Sequence, residues 1–552
     1  MLGSRWCSLC QLGTRGYKVK TLMKILDQEE LPRITIPHKM TQKLEIKKSK
    51  SAELKSKKRK PVYQGQVVVS CKRKEYNHRK GQPFSDFNPA ALASHGWKHY
   101  KSAGDHFTLQ ANQGNPSMRP DEAVPHFTDL GISNELVQSL ENMNITKPTS
   151  VQVSTIPKFL EGHNVLCAAE TGCGKTLAYL LPMLQKMHRV KNLSHENLSN
   201  SPYGVVLVPT GELADQVHDV TRILAEPLNL STRLLCGGRS IGKILGFRNK
   251  ATCDILIATP GVLRRVMLAK LYSMQRLQTL IIDEADTLLD DSFNKLTTKL
   301  LQSMKIQESN PEAGVGTQLG LIGATMPRDL NSILEDIVPM DTLEKVTSSH
   351  LHKLMPHIPQ KFIRVKPSEK PEQLLKLLKS GSRKNIPTIV FCNKTPTAVF
   401  VHHFLEDAGI QHVDLHADLS QLERRGRFEK FQRGDSNLLV CTDVASRGLD
   451  TVRAKHVINY EFPSFMADYI HRAGRVGRVA SVGTGFVLSF VAHKWEVDLL
   501  WKIETAARKT EALHNVNANI KRKLVGRHEN KEMANENEDD ISQYVNYHHT
   551  GL

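Results

Sequence analysis

The chain has 552 residues, 40% of them hydrophobic, and a formal net charge of +19. That is more chain than one ordinary core holds, so three or four segments are expected. No uninterrupted apolar run reaches the roughly 18 residues a membrane-spanning helix needs, which excludes a hydrophobic helical anchor, and nine cysteines without regular spacing argue for a reducing compartment.

The charge is concentrated at the start. Residues 1–120 hold 24 Lys and Arg against eight Asp and Glu, so +16 of the +19 lies there. A basic arm on a near-neutral body suggests a polyanionic partner, with a solvated leader as the plainer alternative. The first 26 residues contain no acid but include Arg5, Arg15, Lys18, Lys20 and Lys24, a composition that fits a mitochondrial transit peptide better than a secretory signal. The run from Lys47 to Lys60 instead resembles a nuclear or nucleolar address, and both addresses stay open. Cys7 and Cys10 form a lone CxxC, too little for a zinc site. Periodicity is low throughout 1–120, where the β-like Val67-Val68-Val69 stands alone, and a basic N-terminal extension is assigned there.

From about residue 121, short apolar runs alternate with longer helical patterns. The runs 165–168, 204–208, 255–258, 280–282 and 319–322 end at polar or Gly/Pro corners, as buried parallel strands do when helices cover both faces. After a linker around 340–362 the texture repeats at 362–365, 388–391, 438–441, 456–459 and 485–488. Two α/β doubly wound units are therefore predicted, over 121–345 and 346–505, with a C-terminal helix and polar tail over 506–552. Such sheets bind ligands beyond the carboxyl ends of their strands.

Ala169-Glu170-Thr171-Gly172-Cys173-Gly174-Lys175-Thr176 joins the first of those runs to a helical pattern. Glycines at these spacings let successive backbone N–H groups converge on phosphate oxygens at a helix N-terminus. Lys175 then supplies charge to the β- and γ-phosphates of a nucleotide, and Thr176 a hydroxyl to Mg²⁺. Downstream, the run 280–282 ends in Asp283-Glu284-Ala285-Asp286. Asp283 is the natural partner for the metal, partly through water, and Glu284 is placed to orient or deprotonate an attacking water. Cys173, at a helix N-terminus, is either an oxidation-sensitive thiol or a small filler. Arg472, Arg475 and Arg478 recur at i, i+3 and i+6, which one helix side would present to a transferring phosphoryl group.

Asp283-Glu284-Ala285-Asp286 behind that phosphate loop resembles the DEAD-box family of RNA helicases, and further blocks follow in the family's order over about 125–505. The resemblance implies two tandem RecA-like domains that close around ATP, Mg²⁺ and RNA. It implies Gln152 as the reader of adenine with Phe127 as a supporting aromatic. Gly237, Gly238, Thr259, Pro260 and Gly261 would touch the RNA backbone from the first domain. Gln421, Arg424, Thr442 and Asp443 fall in RNA-contacting blocks of the second. Asp450 would hold the nucleotide ribose, and Arg475 and Arg478 would reach the γ-phosphate. Asp286, Gly323, Ala324, Thr325 and His471 would couple hydrolysis to movement. Ser94-His95-Gly96-Trp97-Lys98, Asp105-His106-Phe107, the stretch 351–357 and His493-Lys494-Trp495-Glu496-Val497 are similar to a mitochondrial branch of the family tied to large-subunit ribosome assembly. That similarity implies a matrix location, with large-subunit ribosomal RNA and pre-ribosomal particles as partners.

Three positions depart from the family pattern. Gly211 stands where an RNA-facing arginine is usual, which removes a phosphate contact. Gly323 replaces a serine whose hydroxyl would link the Asp286 region to the second domain. Ile145 stands where an aromatic commonly covers adenine. The first two favour a rival reading, an RNA clamp with weak ATPase; the basic run at 47–60 favours another, action on DNA or nucleolar RNA.

Overall fold

The computed structural model describes residues 42, 65–84, 92–118, 125–193, 200–237, 252–289, 294–304, 306, 316–326, 334, 338, 343–380, 385–443, 451–479, 485–513 and 516. The expected transit peptide, Cys7, Cys10, the run 47–60, Gly238, Asp450 and the polar tail lie outside them. Among the described residues no helix is long and apolar enough to cross a membrane.

In chain order the strands are β1 (Val67–Cys71), β2 (His78–Arg79), β3 (His106–Leu109), β4 (Asn164–Ala168), β5 (Gly204–Leu207), β6 (Thr232–Leu235), β7 (Ile255–Ala258), β8 (Thr279–Asp283), β9 (Gln318–Gly323), β10 (Leu343–Thr347), β11 (Gln360–Arg364), β12 (Thr388–Cys392), β13 (Val413–Leu415), β14 (Leu438–Thr442), β15 (His456–Asn459) and β16 (Phe486–Val491). They form two sheets. The first runs β10-β4-β9-β8-β5-β7-β6, every pair parallel. The second runs β13-β14-β12-β15-β16-β11 in parallel and continues antiparallel through β3, β1 and β2. Strands β4, β5, β7, β8 and β9 are buried along their whole length. That explains their unbroken Val, Ile and Leu runs, since alternation is a sign of a one-sided sheet.

All ten expected strand runs are strands. β2, β3, β6, β10 and β13 lie outside the expected runs: β6 and β13 are sheet edges, β10 is the opposite edge of the first sheet, and in β10 only Leu343 is buried. Val67-Val68-Val69, expected to stand alone, instead lies in β1, paired to β2 and β3, and β3 pairs with β11. The anchor is aromatic. Trp97 and Phe107 are fully buried in one core with Phe362, Phe462 and Tyr469 of the second unit, and burying such a side chain stabilises by roughly 1.5–3 kcal/mol. Lone aromatics in a basic, weakly periodic stretch give little pattern to read.

Candidate active site

The phosphate loop leaves β4 and enters the helix Lys175–Leu193. Gly172 and Gly174 have φ of 79° and 90°, left-handed values that only glycine adopts without cost. Lys175 Nζ donates to the carbonyls of Ala169 at 2.7 Å and Glu170 at 2.8 Å, pinning its charge inside the loop. Gln152 lies on the helix Ser150–Leu160, which Thr149 caps. Its Oε1 accepts from Thr149 N at 2.8 Å, and its Nε2 donates to the Gly174 carbonyl at 3.0 Å. Thr149 Oγ1 also donates to the Cys173 carbonyl at 2.8 Å, so this helix is fastened directly to the loop. The Cys173 thiol is buried, and desolvation pushes its pKa up to about 12 despite Lys175 nearby. Burial outweighs the helix terminus, and the small-filler alternative is the one the geometry supports.

Asp283 ends β8. Its Oδ2 accepts from Tyr179 Oη at 2.9 Å and its Oδ1 from Glu284 N at 2.9 Å. Tyr179 was missed by sequence reading, although it lies one helical turn past Lys175 and so on the same face. Burial, then the Glu284 charge beside it, pushes the Asp283 carboxyl up to about 6. Glu284 sits in the left-handed region at φ 50°, and its Oε2 is buried without a protein partner among the described residues. Two carboxylates crowded in this way, with Thr176 lining the same cleft, form an all-oxygen donor set that suits a hard cation such as Mg²⁺.

Asp286 faces the other way. Its Oδ2 accepts from Thr325 N at 2.8 Å, Thr325 Oγ1 at 2.7 Å and Ala324 N at 3.2 Å, and lies 3.3 Å from His471 Nε2. Burial alone would raise this carboxyl. His471 and Thr325 more than offset it and hold it well below the usual carboxylate range. His471 belongs to the helix Met466–Ala473 of the second unit, so one buried carboxylate joins the two halves at the strand end that follows Gly323.

A cleft of about 400 Å³ lies between the halves. Gln152, Lys175, Thr176, Asp283 and Glu284 line it from the first, Arg475 and Arg478 from the second. Arg472 is not with them. It is fully buried, paired with Asp443 at 2.5 Å, and it donates to Asn393 Oδ1 at 2.6 Å and the Glu461 carbonyl at 2.8 Å. The expected single helix side of three arginines is thus corrected. The helix ends at Ala473, so Arg475 and Arg478 lie in the turn that follows, while Arg472 points inward. That turn rests on the phosphate loop, where Val479 N donates to the Gly172 carbonyl at 3.2 Å. Phe127 is also buried, in the first unit's core rather than in the cleft wall, where Met143 and Ile145 stand.

Of the expected RNA-facing residues, Gln421 and Arg424 reach from the second half to the first. Thr259 precedes the helix Pro260–Leu268, with Pro260 at its first turn and Gly261 next, and Gly237 follows β6. Asp443 is engaged by Arg472, and Thr442 is the buried end of β14. Gln421 opens the helix Gln421–Arg433, its Nε2 3.4 Å from Cys236 Sγ, while Arg424 Nε lies 3.1 Å from the buried Glu212 carboxylate.

A DEAD/DEAH box helicase domain matches residues 149–333, and a helicase conserved C-terminal domain matches 369–480. Over 511 residues the chain is 40% identical to the probable ATP-dependent RNA helicase DDX28 of Mus musculus, covering 89% of this chain and 93% of that one. The chain belongs to the DEAD-box RNA helicases. The Homo sapiens protein of the same description is 39% identical over 515 residues, covering 90% and 94% of the two chains. The solved structure of S. cerevisiae Dbp5 bound to RNA and ADP BeF3 superposes with a TM-score of 0.59 at 25% identity, over 69% of this chain and 92% of that one. This DEAD-box helicase therefore has the two RecA-like domains of its family, uses and hydrolyses ATP, and binds RNA.

The helicase's departures are packed rather than merely missing. A Cβ at Gly211 would lie 1.8 Å from Gln421 Nε2, so the space is taken by a side chain from the other half. At Gly323 a Cβ would lie 2.9 Å from the Thr325 carbonyl, in the backbone that holds Asp286. Gly323→Ser is accordingly expected to lower RNA-stimulated turnover rather than restore it. About 1 kcal/mol of overpacking corresponds to roughly fivefold in rate. A rise in kcat for this variant would mean that the lost hydroxyl matters more than the crowding.

Proposed function

We propose that this helicase remodels large-subunit ribosomal RNA in the mitochondrial matrix, closing its two domains on RNA and ATP and reopening after hydrolysis. The observation that carries the ATP cycle is the shared cleft, with Lys175, Thr176, Asp283 and Glu284 on one wall and Arg475 and Arg478 on the other. Lys175 is the charge for the β- and γ-phosphates, and the loop N–H groups cradle them. Gln152 reads adenine against the aliphatic wall of Met143 and Ile145, where packing replaces stacking. Glu284 takes the proton from the attacking water, and its unpartnered, buried Oε2 is in position to accept it. Mg²⁺, held by Thr176 and, partly through water, by Asp283, would neutralise charge on the phosphate oxygens. Asp286, Thr325 and His471 report the state of the first domain to the second: Thr325 fixes the Asp286 carboxylate within the first domain, and the contact of that carboxylate with His471 crosses to the second. RNA would lie along Gly237, Thr259, Pro260, Gly261, Gln421 and Thr442, contacts suited to backbone rather than base recognition. The matrix address rests on the acid-free, basic first 26 residues. The ribosomal substrate rests on the resemblance of the stretches 94–98, 351–357 and 493–497 to the mitochondrial branch.

The test is ATP hydrolysis with and without structured RNA beside Lys175→Ala. RNA is expected to stimulate turnover strongly, and the substitution to reduce it by at least about 10³-fold. RNA binding without stimulated hydrolysis would select the clamp reading that Gly211 suggests. Crosslinking in cells then addresses substrate and address together: reads on mitochondrial large-subunit ribosomal RNA are expected, and reads confined to nuclear precursors would sink the matrix assignment.

A further inference from the structure

Residues 112–118 leave β3 on the second sheet and cross to the nucleotide cleft. The segment is tied at its start by Asn112 N, which donates to the Pro356 carbonyl at 2.9 Å. Its tip reaches three parts of the cleft. Ser117 Oγ donates to Glu170 Oε1 of the phosphate loop at 2.8 Å. Asn115 Nδ2 donates to the carbonyl of Gly477 at 3.2 Å, between Arg475 and Arg478. The Ser117 carbonyl accepts from Ser150 N at 3.3 Å, at the start of the helix that carries Gln152. Asn115 Oδ1 also accepts from Ser117 N at 3.0 Å, which locks the tip into one shape.

We infer that this strap positions the ATP site, so that the folded N-terminal segment sets nucleotide affinity. Three separate parts of the cleft, the phosphate loop, the arginine turn and the Gln152 helix, are each one hydrogen bond from Asn115 or Ser117. Because the strap is rooted in the second sheet, its grip on Glu170 and Ser150 is complete only when the two halves are together. It therefore adds to the closed, nucleotide-binding state and little to the stability of either half. Glu170 is the part of the loop that needs holding. Burial pushes its carboxyl up, but bonds from Ser348 and Ser117, with Lys175 nearby, leave it below the usual range and hence charged. Its backbone carbonyl is one of the two that hold Lys175 Nζ, so freeing the Glu170 side chain loosens the loop at the lysine's anchor. Asn115 and Ser117 are positioning residues: they touch the groups that face ATP, not ATP itself.

The inference rests on the assignment of the cleft to ATP. Its test is steady-state hydrolysis by the full chain at saturating RNA for Ser117→Ala, Asn115→Ala and Ser117→Thr, with thermal unfolding of the same preparations. Losing a hydrogen bond to a carboxylate predicts a KM for ATP raised roughly tenfold in Ser117→Ala, with kcat within twofold and Tm unchanged. Asn115→Ala is expected to raise KM in the same direction, and Ser117→Thr, which keeps the hydroxyl, to return it toward the parent. Unchanged KM in both alanine variants overturns the inference. So does a Ser117→Ala defect in which kcat and Tm fall together and threonine gives no rescue, since that is the signature of a packing residue. Lys175→Ala loses turnover in either case, so a flat KM across the strap variants counts against the strap and leaves the assignment of the cleft standing.

Discussion

Replacing Arg475 by alanine is expected to reduce RNA-stimulated ATP turnover by about 10³-fold or more, the range an arginine acting on a transferring phosphoryl group commands. ATP binding should fall far less, because the lost charge acts mainly on the transition state. The geometry explains the size. Arg475 is buried, its carbonyl accepts from Thr451 Oγ1 at 2.8 Å, and its Nε donates to the His471 carbonyl at 3.2 Å. The side chain is thus held, buried, in the wall of the cleft that Lys175 and Glu284 also line, where a charge does more than at a surface. His471 is also the residue on Asp286, so the arginine is set in place by the same helix that contacts the first domain. Arg475→Lys should recover only a small part, since an ammonium lacks the planar fork. Turnover within tenfold of the parent, in a protein that still melts normally, would remove Arg475 from the catalytic set and leave Arg478 to carry it.

The sequence exposed most of this site because its chemistry is local. The phosphate loop and the strand-end acids are short runs whose glycines, lysine and carboxylates have few other uses, and each follows a buried strand whose apolar run is itself visible. The arginine turn was legible as a cluster but not in shape. Spacing at i, i+3 and i+6 suggested one helix face, whereas the helix stops at Ala473 and Arg472 turns inward to Asp443. That failure is physical, since Gly474 and Gly477 permit a turn where periodicity alone would continue a helix. Phe127, expected as a supporting aromatic, is buried in the core against which Met143 and Ile145 of the cleft wall pack. The largest miss was residues 65–118. Their pairing partners lie hundreds of positions away in β11 and the helix Lys494–Lys509, and no local pattern encodes a contact of that separation.

Glu504→Ala is the variant expected to release that segment, at about 3–5 kcal/mol of folding stability. Glu504 lies on the helix Lys494–Lys509 with no exposed surface and accepts from Ala93 N at 2.7 Å, Ser94 N at 3.0 Å and Ser94 Oγ at 2.5 Å. It is also paired with the buried Arg508 at 2.7 Å, and Arg508 donates onward to the Tyr76 carbonyl at 2.8 Å. Removing the carboxylate strands two backbone donors and leaves a buried guanidinium without its counter-charge, and the second loss is the larger. Adding Arg508→Met to Glu504→Ala should therefore recover part of the stability, because it deletes the orphaned charge and refills its volume. Urea unfolding measures the loss, and limited proteolysis within 65–118 shows where it falls. Stability within 1 kcal/mol of the parent would mean that water reaches this pair and that Trp97 and Phe107 hold the segment alone. If the segment does come away, the strap at Asn115 and Ser117 loses its root, and the KM for ATP should rise in Glu504→Ala as is expected for Ser117→Ala. A stability defect and a nucleotide-affinity defect would then appear together in a residue remote in sequence from every motif of the cleft.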